Sequence, residues 1–218
     1  MSEAKPELED VSLVLVGSFN PAIFQPAWFA GEKLIQQEEA DRAEIQIVSP
    51  EVSVFSIGWL QMEVTLDRFA ARTSQIQNLE PLRDLVRGTF RLLCHTPVKQ
   101  MGINRQAQFR SPSEESWHAL GHRLVPKEPW AGLLEKPGMR RIQVQGIRPD
   151  KYRGRISVAV EPSLKIKPYG AYIEVNDHYE NDPETKGNEC DRMMEMLAAS
   201  WQTSLDRSLH IMQALMKL

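Results

Sequence analysis

Cysteine is scarce in this chain of 218 residues, which carries two, Cys94 and Cys190. They lie far apart, each within a helical pattern, and neither belongs to a Cys-x-x-Cys pair or a zinc-type ladder. A disulfide framework is therefore not expected, which fits a reducing, cytoplasmic setting. Long hydrophobic runs are also missing, since no stretch approaches the roughly 20 apolar residues of a membrane span. Residues 1–10 are acidic and polar and lack the basic and apolar regions of a signal peptide. Glycine-rich phosphate cradles are absent too. Gly17, Gly31 and Gly88 stand alone, and no P-loop, Gly-x-Gly-x-x-Gly or Gly-x-Ser-x-Gly occurs. Nucleotide-dependent catalysis and a bound cofactor therefore find no support. Finally, no charge of one sign dominates. The net charge of −3 argues against coating nucleic acid by bulk electrostatics, although a local basic patch is compatible with it.

What is present is ordinary globular material, 42% hydrophobic and 25% charged. A chain this long buries roughly 70% of its unfolded surface, enough for a core without covalent staples. Residues 1–10 are expected to be a flexible tail. Val11 to Val16 is almost continuously apolar, as in a strand buried on both faces. Prolines break the pattern, and a short helix follows over 27–35 with Trp28, Phe29, Leu34 and Ile35 inward. Two strands are expected near 45–57 and 60–73; in the second, Met62, Val64 and Leu66 alternate with polar residues. Asn78 then caps a helix over 79–93, with Leu82, Val86 and Phe90 on one stripe.

From Val98 the order recurs. A strand through Gly102–Phe109 leads to a helix that starts at the capping box Ser111-Pro112-Ser113-Glu114 and carries Trp117, Leu120 and Leu124 inward. After a proline-rich stretch, strands are expected at 141–147, 155–161 and 169–175. The last helix runs from Cys190 to the end, about 40 Å at 1.5 Å per residue, long enough to reach beyond its own domain. The reading is an α+β fold, a mostly antiparallel sheet covered by helices. A strand–helix–strands–helix unit stands twice, at 11–97 and 98–218, in one compact domain. That order resembles the TATA-binding-protein-like and helix-grip architectures, which fixes no function.

Several groups are candidates for a site. His118 and His122 lie four apart on a helix, three and seven residues after Glu115, a spacing that metal sites use. A solvated polar face is the plainer account, so no metal is expected. Glu174-Val175-Asn176-Asp177-His178-Tyr179-Glu180 reads as a polar strand end, but Asp177 and His178 would point to opposite faces and cannot orient each other. The charge pattern says more. Nine basic residues against two acids lie between Lys136 and Lys167. Arg141, Arg148, Arg153, Arg155, Lys165 and Lys167 form a candidate basic surface for phosphate or carboxylate groups. On the last helix Met193, Met196, Trp201, Met212 and Met216 broaden the apolar stripe, giving an adaptable surface for a protein partner or a second copy. Core packing is the commoner role for such a stripe.

The stretch Val16-Gly17-Ser18-Phe19-Asn20-Pro21-Ala22-Ile23-Phe24-Gln25-Pro26-Ala27-Trp28-Phe29 resembles the opening of a sporadically distributed family of uncharacterised bacterial proteins of similar length. A Gly-Ile-Asn-Arg-like strand (Gly102–Arg105) and a Val-Asn-Asp-His-Tyr-like strand end (Val175–Tyr179) extend the resemblance over nearly the whole chain. It implies no known activity and transfers no functional residues. Sporadic distribution is typical of mobile elements and defence islands. The leading expectation is thus a non-enzymatic bacterial protein that binds a partner protein as an accessory, inhibitory or immunity-type component of a defence, toxin–antitoxin or mobile-element system. The alternatives are nucleic-acid binding by residues 136–167, and a small-ligand or metal-dependent enzyme using His118, His122 or His178.

Overall fold

The computed structural model describes residues 4–182 and 187–218. Nine strands form one antiparallel sheet: β1 (Leu8–Gly17), β2 (Glu44–Val48), β3 (Val52–Ile57), β4 (Leu60–Thr65), β5 (Arg68–Thr73), β6 (Val98–Arg110), β7 (Ile142–Ile147), β8 (Gly154–Pro162) and β9 (Gly170–Glu180). Across the sheet the order is β2-β3-β4-β5-β1-β6-β9-β8-β7. The two initiating strands, β1 and β6, therefore pair at the centre. Each is followed outward by the last strand of its own meander, β5 or β9. This is the doubled unit expected from the element order, with one strand fewer in the second copy.

The helices are α1 (Pro26–Gly31), α2 (Gln37–Asp41), α3 (Leu79–Leu92), α4 (Glu114–Leu124) and α5 (Glu189–Met216). They lie on one face of the sheet, because the strand residues that enter the core share one parity. Val11, Leu13 and Leu15 of β1 are fully buried, and their register partners Thr73, Ala71 and Phe69 on one side and Arg105, Ile103 and Met101 on the other are buried with them. The intervening residues of each strand form an open face without a helix above it. β1 is thus buried on one face and not on both, and Val16 is exposed on the other.

Local chemistry moved several boundaries. Residues 1–3 of the expected tail lie outside the described residues, but β1 already begins at Leu8, and the Glu7 carboxylate takes two hydrogen bonds from Arg110 at 2.6 and 3.1 Å. The stretch expected as one strand over 45–57 is two, because Ser49 Oγ accepts from the backbone N–H groups of Glu51 and Val52 and turns the chain beside Pro50. The stretch over 60–73 likewise splits at Leu66–Asp67, which leaves Leu66 exposed in the turn. The cap of α4 is Ser113, whose Oγ accepts from Ser116 N–H at 3.1 Å, two residues beyond the expected Ser111.

Two apolar clusters fill the space between sheet and helices. The larger joins the first half to the N-terminal part of α5 and contains Phe19, Phe24, Phe29, Phe55, Phe69 and Phe90. The ring centroids of Phe69 and Phe90 are 5.0 Å apart, edge to face. The smaller cluster, with Phe109, Val160, Ile173, Val175 and Met212 among its members, lies under the second half. Helix α5 is about 42 Å long by its 28 residues and crosses both. Its length is used inside the molecule. No helix among the described residues is long and apolar enough to cross a membrane.

Candidate binding face

On the open face, strand register aligns one polar row across five strands. Ser12 (β1) faces Asn104 (β6), which faces Asn176 (β9), then Ser157 (β8), then Gln145 (β7). The alternation of strand side chains dictates this: on β6 and β9 apolar residues take one parity, and amides and a histidine take the other. Asn104 Nδ2 donates to Ser12 Oγ at 3.3 Å, and Gln143 Nε2 donates to Ser157 Oγ at 3.0 Å. The Oδ1 atoms of Asn104 and Asn176 are buried and find no hydrogen-bond partner among the described residues. Beside this row, Arg141, Gln143, Gln145, Arg155, Asn176 and His178 help to line a groove of about 240 Å3.

The charges on this face are balanced. Arg141 pairs with Glu161 at 3.1 Å and Arg155 with Glu180 at 3.0 Å, while Glu174 accepts from Tyr172 Oη at 3.2 Å. On the first half, Arg72 pairs with Asp10 and Arg68 with Glu63. His178 sits among Arg155, Glu180 and Arg148. Its Nε2 lies 3.3 Å from Glu180 Oε1 but off the direction a hydrogen bond needs. Burial and the Arg155 charge hold its pKa below the ordinary histidine value, against the upward pull of Glu180, so the ring is neutral at pH 7.

The opposite side of β9 carries a buried ionic network. Asp177 is fully buried and accepts from Ser204 Oγ at 2.7 Å, Arg207 Nη1 at 3.0 Å and Arg148 Nη1. Arg148 also donates to Asp150, at 3.0 and 2.6 Å, and its guanidinium stacks 3.6 Å from the Tyr179 ring centroid. Arg207 reaches Asp150 as well, at 3.0 Å. Burial alone would raise the Asp150 carboxyl, but the hydrogen bonds from Arg148 and Arg207 outweigh it and hold the group below the usual carboxylate value. The loop from β7 to β8 is drawn in tightly, and Gly154, at φ +132°, permits this because a Cβ there would meet His178 O at 2.0 Å.

These placements break up the expected basic surface. Arg148 is interior and serves Asp177, so it is unavailable to a ligand. Arg141 and Arg155 stand on the open face but are neutralised, and Arg153 lies 3.8 Å from Asp182. Lys165 and Lys167 are exposed in the loop between β8 and β9. The expected partner surface on α5 is likewise corrected. Met193, Met196, Trp201 and Met212 are buried in the chain's own core and Met216 packs against it, because α5 lies between the two apolar clusters. His118 and His122 are exposed on α4, near Glu114 and Glu128 respectively. Among the described residues, no group of three His, Cys, Asp or Glu side chains is placed to hold a metal ion.

Asn176 stands in the polar strand end noted from sequence, but its alignment with Asn104 and Gln145 in one row is not readable there. The signal was available in the period-two pattern of Gly102–Gln108, but pairing it with Asn176 needs the register. Comparison with known proteins gives little. No protein-family model matches the chain, and no curated protein matches it. A solved structure, that of DynU16, a protein of the dynemicin biosynthetic locus, aligns with 15% identity over 90% of this chain and 96% of that one, at a TM-score of 0.25. A superposition at that level carries no implication for this chain.

Proposed function

We propose that this chain is a non-enzymatic protein that binds a partner protein on the open sheet face of its second half. The observation that carries the reading is the row Ser12–Asn104–Asn176–Ser157–Gln145, a band of hydrogen-bonding groups without net positive charge. Amide and hydroxyl groups match the mixed donors and acceptors of a protein surface. A phosphate backbone instead needs unpaired cations, and here Arg141 and Arg155 are each held by a glutamate. No hydrogen bond among the described residues joins His178 to a serine or threonine hydroxyl, so an acid–base nucleophile pair has no support on this face. Within this reading, the sequence resemblance suits an accessory, inhibitory or immunity-type component of a defence or mobile-element system.

A photo-crosslinking residue placed at Ser157, with the same residue at exposed Ala198 on α5 as control, tests this in the host cell. The expected outcome is a discrete protein adduct of one mass from position 157 and none from position 198. An adduct removed by nuclease, equal adducts from both positions, or no adduct from position 157 overturns the proposal.

A further inference from the structure

The two edges of the sheet are built differently. At one edge, β2 is interrupted by a register shift between Ile45 and Ile47, begins with Glu44 and is followed by Pro50. These are the devices by which natural sheets prevent further strand pairing. At the other edge, β7 (Ile142-Gln143-Val144-Gln145-Gly146-Ile147) pairs with β8 in unbroken register and contains no charge, no proline and no bulge. Val144 is 59% exposed and Ile147 94% exposed. Alternate residues of β7 must direct their N–H and C=O groups away from β8, where the described chain offers no strand.

The internal repeat shows what is missing. β3, β4, β5 and β1 correspond in order to β7, β8, β9 and β6, and the strand outside β3 is β2. Among the described residues no strand stands outside β7. The corresponding segment of the second half, residues 125–141, makes a short 3-10 turn at Glu128–Trp130 and irregular chain instead of a strand. That segment exposes Leu133 and Leu134 and, with Lys127, Trp130, Met139 and Arg140, frames a groove of about 220 Å3 at the start of β7. Lys127 and Arg140 have no ion-pair partner among the described residues.

We infer that β7 accepts an extended segment of the partner protein as a tenth strand. Resting on the partner-protein reading above, this names the partner's recognised element: a strand with apolar residues at alternate positions, flanked by carboxylates. The apolar residues would cover Val144 and the Leu134 side of the groove, and the carboxylates would meet Lys127 and Arg140. A second copy of the chain fits poorly. The residues that flank β7 are Arg140 and Arg141 on one side and Arg148 on the other, and the nearest carboxylate, Asp150, is taken by Arg148 and Arg207, so a second β7 brings no free carboxylate to Lys127 and Arg140.

The test is selection of a displayed library of random dodecapeptides on the purified full chain, followed by synthesis of the enriched peptides. Alternating apolar peptides with acidic ends are expected. Val144→Lys and Arg140→Glu should each weaken their binding at least tenfold without moving the unfolding midpoint, and N-methylation of alternate peptide amides should abolish it. Bound peptide should also slow hydrogen exchange within Ile142–Ile147. The inference is overturned by lack of enrichment, by binding that survives Val144→Lys or N-methylation, or by a dimer that Val144→Lys dissolves. If the adduct at position 157 persists in Val144→Lys, the open-face reading stands and strand addition at β7 does not.

Discussion

The two halves share one plan and fill it with opposite materials. The first half closes around six of the seven phenylalanines, whereas all four tyrosines belong to the second. Hydrocarbon rings pack by contact alone, so the first half excludes water and fixes its strands by shape. On the core side of the second half stand Arg105, Asp177 and Arg148 instead, met on α5 by the Leu205 carbonyl and by the Ser204 and Arg207 side chains. This polar seam runs between the two apolar clusters. It fixes where α5 crosses the sheet, because Arg105 donates to Leu205 O at 2.7 Å and Ser204 to Asp177 at 2.7 Å, directions that a sliding helix would lose. The two halves thus share a strand order while their fillings differ in kind. The copy with the directional filling also has the open edge and the amide row.

The largest effects should come from breaking each filling in turn. Asp177→Ala takes the fully buried counter-charge from Arg148, leaving it only the partly exposed Asp150, and should cost about 3 kcal/mol in urea unfolding. Arg148→Met added to that variant should recover part of the loss, since no charge is then stranded. Phe69→Ala, in the ring cluster with Phe19, Phe24 and Phe90, should cost about 3–5 kcal/mol as a cavity. Hydrogen exchange separates the two. Asp177→Ala should loosen β8, β9 and the C-terminal part of α5 first, and Phe69→Ala should loosen β1, β4 and β5. If both variants loosen the same strands, the halves are one cooperative unit and the contrast between them has no energetic meaning.

How much of this was legible beforehand follows the same division. Period-two and helical patterns are local, so the α+β class, the long last helix and the order of elements could be read from residues such as Val11–Leu15 and Leu79–Phe90. Tight turns were missed because Ser49 and Asp67 act through side-chain contacts two or three residues away. The α5 methionines were ambiguous because a stripe does not say whether the chain itself covers it. The basic surface failed for a related reason: Arg148 meets Asp177, and Arg141 meets Glu161, only once β7, β8 and β9 are in register. Charge counted along the chain does not know its partners.

A smaller effect tests the open face of the second half. The pKa of His178 is lower in the fold than its unfolded value near 6.5. The unfolded chain therefore binds the proton first, and stability rises with pH across this window. The contribution is present above pH 6.5 and lost as pH falls from there through the folded pKa. The thermal midpoint of the wild type should therefore drop more steeply than that of His178→Gln between pH 7 and pH 5. Parallel curves would mean that the ring is solvated like that of an exposed histidine.

The smallest effect concerns the joint between the halves, where α5 docks on α3, and it needs no loss of stability. Cys190 opens α5 and is buried, with its Sγ–H donating to Phe90 O at 3.4 Å; Cys94 follows α3 and is partly exposed. Burial, with Asp191 nearby, pushes the Cys190 thiol up to about 12, so almost none of it is thiolate at pH 8. A disulfide reagent at that pH should modify one thiol rapidly in the native chain and the second only when urea opens the fold. Since the thiolate is the nucleophile, the slow rate reports both protonation and access, and mapping the fast adduct to Cys94 separates this joint from a loose one. Rapid reaction of both thiols would mean that the first turn of α5 detaches from α3, and the two halves would then be held together mainly by the β1–β6 pairing.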